Sequence, residues 1–171
     1  MNIQEERLVA KLEMLGVRYL SRQVEMPVGP VNKPERFLAD LLIQPSSRVR
    51  MAFIAALLAR PALARAAPAA LARLKSEEWL VFKLFYTAAV ILQQVHTEEL
   101  ISFLGDRWEW LPDLYSIDLG LDTSLPSAER LTALGNIHRQ QTGIVANWAG
   151  SYENVAHQLI HRWEKEQQWN Q

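Results

Sequence analysis

The sequence predicts a single all-α domain spanning residues 1–171, an irregular bundle of about six to eight helices around one central buried helix. Three observations carry this expectation. Apolar residues make up 49% of the 171 and glycine occurs only seven times, which favours helix and supplies a sizeable core. Apolar positions recur at helical intervals rather than alternating. Prolines and capping residues fall at the ends of these periodic stretches.

Leu8, Leu12, Leu15 and Tyr19 share one helical face, so an amphipathic helix is expected over roughly Ile3 to Gln23. Residues 24–33 are expected to form a Pro/Gly linker loop, because prolines and a glycine crowd the stretch from Met26 to Pro34. Pro34 suits the first position of a second helix, where its missing N–H is not needed. That helix should run to Gln44 and stop at Pro45. Ser46 or Ser47 can cap a third helix over Arg48 to Arg60, after which Pro61 and Pro68 cut the chain into short pieces ending near Leu74.

Ser76 followed by Glu77 and Glu78 opens the next helix, a hydroxyl and two carboxylates meeting the positive end of the dipole. From there to about Val95 the helix is apolar nearly all round. It is therefore expected at the centre, with Trp79, Phe82, Phe85, Tyr86 and Ile91 in the core. Thr97 restarts a short helix to Leu104. Residues 105–126 mix acids, aromatics and two prolines without sustained helical period, and are expected to be a long acidic, aromatic loop, with room for a helical turn, of the kind that is usually functional or mobile. Ser127 can cap a helix to about Gln141, Gly143 and Gly150 bracket a break, and Ser151 can cap the last helix to about Gln168.

Residues 34–74 resemble one helical hairpin of the HEAT type: an apolar helix, a proline turn, then Ser-Arg-Val-Arg leading into Met51 to Leu58. A HEAT array needs at least three such units, so the likeness, over about a quarter of the chain, describes a local packing style.

The absence of cysteine excludes disulfides, thiolate nucleophiles and thiolate metal sites. The polar N-terminus does not read as a signal peptide, and the apolar run from Trp79 to Leu92 is too short for a membrane span. The expected location is the cytoplasm, with no membrane partner and no cofactor.

The net charge of −1 conceals an uneven distribution. Residues 31–75 hold eight basic and two acidic groups, whereas residues 76–125 hold two basic and nine acidic groups. The basic segment makes Arg48, Arg50, Arg60, Arg65 and Arg73 candidates for contacts with phosphate or carboxylate. The acidic loop carries Trp108, Trp110 and Tyr115, residue types enriched where proteins bind partners.

His157 and His161 stand four apart on the last helix and so share a side, with Glu153 and Glu164 near them. Such a pair can chelate one ion if the fold brings up a third ligand, for which His138 or His96 is the candidate. The chain has no nucleophile elbow, metalloprotease motif or phosphate-binding glycine loop. Arg130 and His138 are too far apart for the Arg–His pair of the HEPN-type helical ribonucleases.

No catalytic residues are assigned on this reading. The leading expectation is a non-enzymatic interaction or regulatory protein that binds another protein, such as the silent helical partner of a toxin–antitoxin-like module. Nucleic-acid binding through the Arg-rich hairpin, and a metal-dependent helical-bundle enzyme using His157 and His161, are the alternatives. The apolar helix 77–95 could also be shared in a homo-oligomer.

Overall fold

The computed structural model describes residues 2–20 and 28–171, and among them every regular element is helical. Among these described residues nine α-helices follow in order: α1 Ile3–Leu15, α2 Pro34–Leu42, α3 Ser47–Ala59, α4 Ala67–Arg73, α5 Trp79–Val95, α6 Thr97–Leu104, α7 Ser116–Leu119, α8 Ser127–Thr142 and α9 Trp148–Trp169. Short 3-10 turns at Pro61–Ala66, Ser76–Glu78 and Gly105–Arg107 join some of them.

Where a proline or a capping side chain acts locally, the helix ends fall close to the expected positions. Pro34 opens α2, and the Ser46 hydroxyl accepts from the Val49 N–H to cap α3. The buried Glu5 carboxylate also accepts from the Ser46 N–H at 3.1 Å, tying α1 to the start of α3. Residues 28–33 contain no helix, and residues 24–27 of the expected linker lie outside the described residues.

The expected first helix is too long. It stops at Leu15 because Gly16 adopts the left-handed conformation (φ 103°), and the Val17 N–H turns back to the Leu12 carbonyl. Gln23 lies outside the described residues. The last helix starts earlier than expected. Asn147, not Ser151, accepts from the Gly150 N–H at 3.0 Å and caps it. At the start of α5 the Ser76 hydroxyl is not the cap. The Glu78 carboxylate accepts from the Lys75 N–H instead.

The core is built on two helices side by side. In α5 every residue from Leu84 to Gln93 is buried, as the apolar run predicts. In α3 every residue from Ala52 to Ala59 is buried as well. Phe53 of α3 meets Phe82 of α5 edge-on, ring centres 5.0 Å apart. α8 and α9 pack on α5, α9 also packs on α3, and α2 bridges α3 and α4. Trp79, expected in the core, is exposed. It stands at the first position of α5, and its indole N–H donates to the Leu74 carbonyl at 3.1 Å.

Among the described residues no single helix is long and apolar enough to cross a membrane. α3 and the chain on to Arg73 pass that test together, but they bend by 114°.

Candidate functional site

The loop at 105–126 is braced from beneath by two buried polar residues of α5. The Gln93 amide uses both ends: its Nε2 donates to the Glu109 carbonyl and its Oε1 accepts from the Leu111 N–H, each at 2.8 Å. The Tyr86 hydroxyl donates to the Pro112 carbonyl at 2.9 Å, and burial raises its pKa. Tyr115 is not available to a partner as expected. It is buried against Phe82 and Tyr86, with ring centres at 6.1 and 5.3 Å. The reason is local: Asp113 Oδ1 accepts from the Ser116 N–H, turning the chain into α7 and directing Tyr115 inward.

Braced in this way, the loop holds Trp110, Leu114 and Ile117 in solvent at 57%, 40% and 91% exposure. Trp108 is partly buried and meets Trp110 edge-on with ring centres 5.0 Å apart. The same segment carries Asp106, Glu109, Asp113, Asp118 and Asp122 against a single cation, Arg107. Glu109 pairs with Arg65 at 3.0 Å, and Asp118 approaches Lys83 at 3.4 Å.

The five arginines of the basic segment do not present one free surface. Arg48 donates to the Tyr19 carbonyl, and Arg50 donates to the Gln44 and Pro45 carbonyls at the end of α2. Arg65 is held by Glu109. Arg60 is half-buried, and burial followed by the nearby Arg107 charge lowers its pKa. Arg73 is exposed at the end of α4. A different basic cleft of about 380 Å³ lies between α1 and the start of α2, where Arg7, Lys11, Lys33 and Arg36 meet.

The structure divides the histidines into two groups. His138 points inward from α8 against Phe85 of α5 and Trp148 and Tyr152 of α9, apart from the other histidines. Its ring stacks on Trp148 with centres 3.6 Å apart, and its Nδ1 lies 2.5 Å from the Tyr152 hydroxyl. Burial pushes its pKa down to about 4. It is therefore a packing residue, and of the two candidates for a third ligand it is the one held away from the His157/His161 pair. The segment from Asn147 to Tyr152 likewise forms a packing corner, since Trp148 and Tyr152 enclose that ring.

Of the two candidates for a third ligand, it is His96 that approaches the last helix. It sits at the junction of α5 and α6, and its Nε2 contacts Glu153 Oε1 on α9. His157 Nε2 reaches the same carboxylate oxygen at 3.1 Å. One ligand atom from each of His96, Glu153 and His157 lies within 4.8 Å of the others. The cleft beside them, about 390 Å³, is lined by Glu99, Ile160, His161 and Glu164 along with His96 and His157. His161 thus shares the cleft without joining the converging set.

Comparison with protein-family models, curated proteins and solved structures finds no match, so neither family nor function follows from likeness. The HEAT-type resemblance of residues 34–74 gains no support from it.

Proposed function

We propose that this chain is a non-catalytic binding protein whose loop 105–126 receives a positively charged, partly apolar segment of another protein. The observation that carries this reading is the outward presentation of Trp110, Leu114 and Ile117 by a loop anchored through Gln93 and Tyr86. A loop that only plugs the core turns its large apolar residues inward, as Tyr115 and Leu111 do. Holding three others outward leaves apolar area in water that a partner can cover, at about 25 cal/mol per Å².

Rigidity adds to this reading. Ordering a loop on binding opposes affinity, and this loop is already ordered by its hydrogen bonds. The acidic surplus sets the chemistry of the partner. Asp106, Asp113 and Asp122 flank the apolar residues, so a basic segment gains rate and register from opposite charge.

Peptide display tests the reading without a named partner. Selection against the full chain, with counter-selection on Trp110→Ala/Ile117→Ala, is expected to enrich basic peptides with apolar anchors. Their affinity should fall at least tenfold on the double variant, a loss of about 1.4 kcal/mol, and weaken with salt. Peptides that bind both proteins equally, or a selection that enriches no basic sequence, would count against it.

A further inference from the structure

We propose that His96, Glu153 and His157 form a binding site for one divalent transition-metal ion of the zinc class, with a further coordination position open to the adjoining cleft. The three residues come from two places in the fold. His96 ends α5, whereas Glu153 and His157 stand one turn apart on α9. Both imidazoles aim Nε2 at one carboxylate oxygen.

A carboxylate oxygen can accept from both imidazoles, and with both Nε2 atoms deprotonated the same three groups can instead converge on one cation. Two histidines and one glutamate are a ligand set that zinc accepts, leaving a fourth position for water or a substrate atom. At zinc–ligand distances near 2.1 Å, ligand atoms in a tetrahedron stand about 3.4 Å apart. The His157–Glu153 separation of 3.1 Å is close to that value. His96 Nε2 and Glu153 Oε1 stand closer than that and must move apart to admit the ion, while all three ligand atoms already lie within 4.8 Å of one another. Glu99 and Glu164 line the same cleft and add negative potential beside it.

The site is built partly below the surface. His96 is only 12% exposed along its side chain, and its position at the α5–α6 junction is set by backbone that α6 continues. The bound ion would join α9 to that junction, 57 residues away in sequence. An ion that binds only the folded chain raises its stability in proportion to the logarithm of its concentration. This inference uses none of the residues of the 105–126 loop, so it stands or falls independently of the partner reading.

The test uses the untagged full chain. Zn²⁺ titration by calorimetry is expected to give one ion per chain, Co²⁺ to develop visible absorption bands on binding, and Zn²⁺ to raise Tm. His96→Ala and Glu153→Gln should each weaken Zn²⁺ binding at least tenfold and abolish the rise in Tm, with helical content unchanged by circular dichroism. Glu153→Gln preserves side-chain shape and covers the case in which His96→Ala fails to fold. Absence of binding by the unaltered chain overturns the proposal. So does binding that survives His96→Ala, which would reveal a surface pair made by His157 and His161 alone.

Discussion

His138 lies between the rings of Phe85, Trp148 and Tyr152, where a charged imidazolium has no compensating partner. Its pKa of about 4 in the folded chain lies below the ordinary value of 6.5. The unfolded chain therefore takes up the proton first as pH falls. The stabilisation is fully present above about pH 6.5, and is lost progressively as pH drops through the folded value near 4. Its size is about 3 kcal/mol at most. Replacing both partners by apolar rings, His138→Phe/Tyr152→Phe, should remove that share of the pH dependence while leaving no buried hydroxyl unpaired. Urea unfolding of both proteins at pH 7 and pH 4.5 measures it, and the expected sign is a smaller loss of stability on acidification in the double variant. In the sequence His138 is indistinguishable from a ligand, because nothing local tells a histidine that faces Tyr152 from one that faces solvent. His96 is equally hard to assign, since its partners Glu153 and His157 come from a distant helix. The one signal is a polar cluster, Gln93, Gln94 and His96, interrupting the end of an otherwise apolar helix.

At the scale of the elements, α8 and α9 approach closely at Gly135. A Cβ there would stand 2.8 Å from the Ala149 backbone nitrogen, so the contact depends on the absence of a side chain. Gly135→Ala is expected to destabilise the fold by roughly 1–3 kcal/mol, against less than about 0.5 for the exposed neighbour Asn136→Ala. A shift in urea midpoint at unchanged slope is the expected result. A stabilised Gly135→Ala would mean that helix propensity, which favours alanine, outweighs the steric conflict. Element ends are legible where their determinants are local: Pro34, Ser46 and Pro61 mark α2 and α3 within a residue or two. They are not legible at α1 and α9. Gly16 stops α1 by adopting φ 103°, and Asn147 starts α9 ahead of the more obvious Ser151. A glycine in a sequence does not announce the sign of its φ, and two nearby capping residues compete on geometry that only the packed helix decides.

At the scale of the whole molecule, the buried pair α3 and α5 carries the core, and the other helices pack around it. The all-round apolar pattern of α5 makes its place legible. α3 is less so, because its alanines look undemanding in sequence yet let neighbouring helices approach closely. Phe53 is fully buried at the junction of the pair, and Phe53→Ala is expected to destabilise by about 3–5 kcal/mol, read as a lowered Tm or urea midpoint. A loss below about 1 kcal/mol would place the centre of the core elsewhere. The division of charge is also partly structural at this scale, since Arg65 of the basic segment holds Glu109 of the acidic loop. One long-range contact adds a kinetic consequence. The Trp163 indole N–H donates to the Gly16 carbonyl at 2.8 Å across 147 residues of sequence, and Arg18 pairs with Glu166 beside it. Closing so large a loop is entropically expensive until the chain between is already compact. The contact of the turn at Gly16–Arg18 with α9 is therefore expected to close late in folding and to open early in unfolding, which hydrogen exchange along α9 would check.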